Sequence, residues 1–231
     1  MPDFYLIDEY TDPDYAEDLL NNIWQTAKRY PVIGLDSEWV YRKMRGMKKS
    51  VRNPVSLLQL ATIDGFAVVI KIQRIWESFE LGNSDWNNTL ASIHSLFKCN
   101  WILKVGVGIH FDVQHLNEDY GYRINKWFDL QHIAAWYNYP KTNLAYLAKV
   151  LLGFDVDKSY ARIDWDADDL PYDALVYAAE DAKISVEIFN RFFVRRRRET
   201  KFEDQPINTI RDMIYEWSDF QCRKYKHIPP N

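Results

Sequence analysis

Cysteine is scarce: Cys99 and Cys222 are the whole complement of 231 residues. They lie far apart with no partners at metal-ligand spacing, so neither a disulfide framework nor a zinc site is expected, and a reducing intracellular compartment, nucleus or cytoplasm, fits best. Long apolar runs are missing as well. No stretch approaches the roughly 18 apolar residues of a membrane span, and Met1-Pro2-Asp3-Phe4-Tyr5 lacks the basic-then-apolar pattern of a leader, so no membrane partner is expected. Nor does charge of one sign dominate. The 29 basic and 33 acidic residues leave a net charge of −4, which sets up no global field for nucleic acid. A local basic patch could still serve a short polyanion. Glycine is thin too, and Gly106-x-Gly108-x-x-Phe111 lacks the third glycine that a dinucleotide-binding loop needs.

What is present is a chain 47% hydrophobic, enough to bury one full core with a helical extension besides. Nine Trp, fifteen Tyr and twelve Phe fill that core for the most part, and the remainder could stack on bases. The stripe Tyr15, Leu19, Leu20, Ile23, Trp24 and Ala27 predicts a helix over 13–30 that delivers the chain to an apolar strand starting at Pro31. Strands over Val55–Thr62 and Phe66–Ile70 are joined by the tight-turn pair Asp64-Gly65. Helical patterns follow at Asn88–Phe97, Ile109–Tyr120, Leu130–Tyr137 and Asn143–Leu152, with strands at Trp101–Gly108 and Trp127–Leu130. Pro171 opens a last long helix from Tyr172 to about Arg196. Strands first, then strands alternating with helices, predict an α/β domain with a mixed five-stranded sheet flanked by helices over residues 1–200. Residues 201–231 read as a helical extension or tail whose amphipathic stretch Ile207–Phe220 could hold a second copy or a protein partner.

Two carboxylates stand two residues apart where the first apolar strand ends, in Asp36-Ser37-Glu38. Alternation along a strand points both the same way. Such a pair either faces water or needs a cation between its members. On the long helix Tyr177 and Asp181 are one turn apart, on a helix whose apolar stripe Leu175, Ala179, Ala182, Val186, Phe189 and Phe193 marks it as largely buried. A buried Asp181 requires a metal, an arginine or a donor network. Asp112 begins the helix after the strand 101–108, where an anion also suits a helix N-terminus. His110 and His115 lie off the helical face repeat and read as packing or surface residues. Four acids and a tyrosine taken together suggest hard oxygen ligands for Mg²⁺ or Mn²⁺, and two such ions serve in-line phosphoryl displacement. A basic loop, Tyr41–Asn53, directly follows the first acid pair, and its Lys48, Lys49 and Arg52 could touch phosphates. The run Arg195–Arg198 suits a helix C-terminus facing solvent.

The three segments Gly34-Leu35-Asp36-Ser37-Glu38-Trp39, Val105–Asp112 and Tyr177-Ala178-Ala179-Glu180-Asp181-Ala182 resemble, in order, the motifs of the DEDDy branch of 3'-to-5' exonucleases. Val55–Leu60, Phe128-Asp129-Leu130 and Asp157-Lys158-Ser159 leading to Asp164-Trp165 are similar to the Werner-type and exonuclease 3'-5' domain-containing members. The likeness runs from about residue 20 to residue 195, with Ala174 where the branch commonly has Gln. It implies an RNase H-like fold and release of 5'-nucleotides from the free 3' end of single-stranded RNA or DNA, in RNA processing or DNA repair. Asp36 would bridge two metal ions, Glu38 and Asp181 would complete the site around the attacking water, Asp112 would serve the second ion, and Tyr177 would position the water. Leu35, Trp39 and Leu57 would wedge the terminal bases. The competing reading is a catalytically silent adaptor that keeps the groove only to bind nucleic acid or a protein.

Overall fold

A computed structural model describes residues 4–42 and 50–200, with residues 195–200 described by backbone alone. The expectations placed on Lys48, Lys49, the side chains of Arg195–Arg198 and the extension 201–231 with its stretch Ile207–Phe220 lie outside the described residues.

The chain opens with β1 (Tyr5–Ile7) and then α1 (Pro13–Arg29), which starts where the Asp12 side chain accepts from the amides of Asp14 and Tyr15. Next come β2 (Val32–Glu38), the short pair β3 (Tyr41–Arg42) and β4 (Val51–Arg52), β5 (Leu57–Ala61) and β6 (Ala67–Ile70). Then α2 (Ile72–Glu80), a 3-10 turn at Ser84–Trp86 and α3 (Asn87–Lys98) lead to β7 (Leu103–Gly106). Finally α4 (Ile109–Tyr120), β8 (Trp127–Asp129), α5 (Leu130–Trp136), α6 (Leu144–Leu151) and α7 (Tyr172–Thr200) complete the described chain.

The main sheet has the order β1-β6-β5-β2-β7-β8, with β5 antiparallel to both neighbours and the remaining pairs parallel. The five predicted strands are all in it, and β1 adds a sixth at the edge beside β6. Three residues are too few to show a period of two, so β1 carries no readable strand signal. Helix α2 is a further element that the sequence pattern does not predict, because it buries only Ile72 and Ile75 and has no side-chain cap to mark its start.

Two layers of helix cover the sheet. On one face α1, α3 and α4 pack on Ile33, Leu35, Leu58, Leu60 and Val68. On the other α7 lies across β2, β5, β6 and β7, its Ala174, Ala178, Ala179 and Ala182 against Leu57, Ala61 and Val69. The helix can sit that low because β2 has no side chain at Gly34, where an added Cβ would lie 2.0 Å from the Ala182 carbonyl oxygen. Lys104, closed to solvent within β7, donates to the carbonyls of Cys99 (2.8 Å), Ile102 (3.1 Å) and Asn125 (3.0 Å). Burial pulls its pKa down to about 7, while three acceptors match the three protons of the ammonium form.

Candidate active site

Asp36 and Glu38 occupy the last turn of the pleat in β2 and share the α7 face of the sheet with their cross-strand partners Gln59 and Leu57. The close approach at Gly34 sets the height of α7, and Asp181 stands next to Ala182 on that helix. One carboxylate oxygen from each of Asp36, Glu38 and Asp181 therefore lies within 4.8 Å of the other two. Among the described residues none of the three is ion-paired, and Asp181 Oδ1 is buried without a hydrogen-bond partner.

Anions packed so closely in a poorly solvated place resist ionisation. Burial raises the Asp36 pKa well above its ordinary value, and the charges of Asp112, Asp181 and Glu38 add to the rise. Glu38 is raised in the same way by burial, then by Asp181 and Asp112. Asp181 is pushed by burial to about 6, against the pull of a hydrogen bond from Tyr177 and the positive charge of Lys158. Three oxygen donors with too little positive charge among them fit a hard divalent cation.

Asp112 stands one step away from that trio. It is 4% exposed in the first turn of α4 and accepts a 2.5 Å hydrogen bond from Ser37 Oγ, so the residue between the two strand acids ties the helix to β2. Burial pushes the Asp112 pKa up to about 7, with Ser37 opposing the rise. Tyr177 lies one turn before Asp181, its hydroxyl bonded to that carboxylate, and burial together with Asp181, Glu38 and Asp36 holds its pKa far above the ordinary value. The phenol therefore stays protonated. Its ring is braced by Trp165, stacked at 6.2 Å and 20°, and by Tyr160 at 6.4 Å.

The nucleic-acid contacts expected from the sequence fare unevenly. Trp39 is partly exposed and meets His115 edge-on at 4.5 Å. Leu35 and Leu57 are 0% and 1% exposed, so their side chains cannot wedge a base. Alternation sends Leu35 to the face opposite the acids, into the α1 and α4 core, and α7 covers Leu57. Arg52 forms a bidentate pair with Asp119, at 2.7 Å through each nitrogen, and also reaches Glu118 at 3.3 Å, so a phosphate would have to displace two carboxylates to engage it. Sequence reasoning passed over Ser37, Gly34 and Trp165 as positioning groups. The period-two pattern could have flagged Ser37, whose hydroxyl must point away from both flanking acids. Gln59 is buried opposite Asp36, and its side-chain amide has no hydrogen-bond partner among the described residues.

Comparison with known proteins agrees with this geometry. The family model described as 3'-5' exonuclease matches residues 14–194. The mouse exonuclease 3'-5' domain-containing protein 2 is 31% identical over 206 residues, which is 87% of this chain and 29% of that protein. Human exosome complex component 10 is 24% identical over 166 residues, 72% of this chain and 18% of that protein. The chain thus spans less than a third of these relatives. Among solved structures, the EXO domain of Aedes aegypti Nibbler superposes with a TM-score of 0.64 at 20% identity, covering 91% of this chain and 94% of that one, and so shares the RNase H-like fold. With the family model spanning most of its length, the acids of the first and third motifs within 4.8 Å of one another and Asp112 tied to β2 through Ser37, the chain belongs to the 3'-5' exonuclease family.

Proposed function

We propose that this protein is a divalent-metal-dependent 3'-to-5' exonuclease that removes 5'-nucleotides one at a time from single-stranded RNA or DNA, with residues 1–200 as the catalytic domain. The observation that carries this reading is the trio Asp36, Glu38 and Asp181, delivered within 4.8 Å of one another by a strand and a helix and left without ion-pair partners among the described residues. Asp36, Glu38 and Asp181 would hold Mg²⁺ or Mn²⁺, with Asp112 serving a second ion. Bound there, two such ions would sharpen a water into a nucleophile and stabilise the attacking and leaving oxygens of an in-line displacement.

The side chains supply the rest. Tyr177, held protonated and anchored through Asp181, orients a water without removing its proton. Trp165 keeps the ring from swinging out of that position. Attack of the water oxygen on phosphorus breaks the bond to the 3' oxygen of the preceding nucleotide, which leaves a 3'-hydroxyl on the shortened strand and a 5'-monophosphate on the nucleotide released. Similarity to an exosome component favours RNA among the substrates to try first.

Incubation with 5'-labelled single-stranded RNA and DNA should give a ladder shortened from the 3' end with Mg²⁺ or Mn²⁺ and none with chelator. The double substitution Asp36→Ala with Glu38→Ala should abolish it. The reading fails if the purified protein makes no ladder with either ion, or if the double variant cuts as the parent does.

A further inference from the structure

We infer that Asp166 is a positioning residue for the proposed reaction: gripped by the segment that follows β4, it fixes Trp165 and, through that ring, the water-directing hydroxyl of Tyr177. The inference rests on the exonuclease reading and extends its machinery to a residue outside the three acid motifs. Residues 152–171 join α6 to α7 with no helix or strand of their own. A connection of that length needs anchors if anything on it is to stay in register with a site. Asp166 supplies them. Its side chain is 9% exposed, which would be costly for a carboxylate without donors. Three reach it, each from more than a hundred positions away: Ser56 Oγ donates to Oδ1, Asn53 Nδ2 donates to Oδ2 at 2.5 Å, and Arg42 Nη2 lies 3.3 Å from Oδ2.

Further contacts pin the chain on both sides of Trp165. Arg42 also bonds Asp164 at 3.0 Å, and Arg74 donates to the Asp166 carbonyl at 3.2 Å. Trp165 itself is 3% exposed, packed with Leu57, Ala174 and Ala178, and stacks on Tyr177 at 6.2 Å and 20°. The donors are tied to the acid site as well. The Ser56 amide donates to the Glu38 carbonyl and the Asn53 amide to the Val40 carbonyl, both at 2.8 Å. One run of hydrogen bonds therefore leads from the backbone of Glu38 to the Asp166 carboxylate, and one stacked pair leads from Trp165 to the phenol bonded to Asp181.

Tyr177 is thus set by two references. Its hydroxyl is held by Asp181, and its ring is held by a connection keyed to the strand that presents Asp36 and Glu38. A misplacement of about 1 Å can cost on the order of a hundredfold in rate, so both matter to a residue that directs a water. Stability alone does not account for the arrangement, because burying an ionised carboxylate costs much of what its donors return.

The test is a double-mutant cycle between Asp166→Ala and Tyr177→Phe, read as the single-turnover rate on a 5'-labelled single-stranded oligonucleotide that the parent shortens, with Mn²⁺ saturating. Asp166→Ala should slow the parent by about tenfold yet slow the Tyr177→Phe protein by less than about twofold, because the group it positions is already gone. The oligonucleotide concentration at half-maximal rate, and the Mn²⁺ affinity measured by calorimetry, should stay within about twofold of the parent. Asp166→Asn retains an acceptor for Ser56, and the Asn53 amide can turn to meet it, so this variant should recover most of the rate. If Asp166→Ala does not fold, Asn53→Ala with Ser56→Ala strips two donors while leaving the acid, and is read in the same cycle. Equal losses in the parent and in Tyr177→Phe, an unchanged rate, or a loss confined to Mn²⁺ affinity overturns the clamp and leaves the exonuclease reading standing. No ladder from the parent overturns both.

Discussion

At the scale of single residues, the hydroxyl of Tyr177 separates positioning from holding. Tyr177→Phe keeps the ring, its stack on Trp165 and the helix, and removes only the group bonded to Asp181. Because that group reports to the water in the proposed reaction, the turnover rate should fall by roughly ten- to hundredfold. Mn²⁺ affinity, followed by calorimetry, should fall by about fivefold or less, the worth of one hydrogen bond. A rate loss no larger than the affinity loss would show that the hydroxyl merely steadies Asp181. Asp36, Glu38, Asp112, Asp181 and Tyr177 stand out in the sequence through residue type and spacing, and the structure brings Asp36, Glu38 and Asp181 within 4.8 Å of one another, whereas Leu35 and Leu57 look alike in sequence to any apolar residue beside a site. Burial removed their side chains from contention, and burial is a property of neighbours that the sequence does not name.

At the scale of elements, the decisive contact is the crossing of α7 over β2. Gly34 permits it, and no other residue fits: even a methyl group would run into the Ala182 carbonyl oxygen and the Val186 side chain, which lie 2.0 and 2.8 Å from its place. Gly34→Ala should therefore lift the helix that carries Asp181. Urea denaturation should register a loss of roughly 1–3 kcal/mol, the usual cost of overpacking. Mn²⁺ binding at saturating protein stability, well below the denaturation midpoint, should weaken as well, because Asp181 moves away from Asp36 and Glu38. Undiminished metal affinity in a destabilised Gly34→Ala protein would mean that the helix adjusts without moving its acid. The long helices and internal strands were foreseeable because each repeats its apolar pattern over several periods. The three-residue β1, the two-residue β3 and β4, and the nine-residue α2 with no side-chain cap offer too few positions or boundary signals for a pattern to be read.

At the scale of the whole molecule, the acid cluster trades stability for charge. The pKa values of Asp112 and Asp181 rise from near 3.8 to about 7 and about 6, and those of Asp36 and Glu38 rise too. A carboxyl group raised on folding binds a proton in the native state that the unfolded chain has released. Metal-free stability should accordingly decline as pH climbs from about 4 through 7, and the decline is complete above the folded-state values. Adding Mn²⁺ should raise the melting temperature by roughly 5–10 °C at pH 8 with ion at a hundredfold excess over its Kd, and by clearly less at pH 5, where protons compete for the same oxygens. Asp181→Asn should flatten the pH dependence and shrink the metal-induced shift. A shift equal at both pH values, or preserved in Asp181→Asn, would place the ion elsewhere.

Order and chemistry were in the chain itself: apolar periods of two and of 3.6 residues declare strands and helices, and acidic groups spaced two apart on a strand or one turn behind a tyrosine on a helix declare their shared face. Distance was not. That α7 descends onto β2 at a glycine, that Ser37 rather than a metal-ready acid reaches Asp112, and that Arg52 is spent on Asp119 all depend on which surfaces meet. Those meetings join residues as many as 148 positions apart, Gly34 and Ala182 among them, and no local pattern encodes a contact whose two halves are only assembled when the core closes.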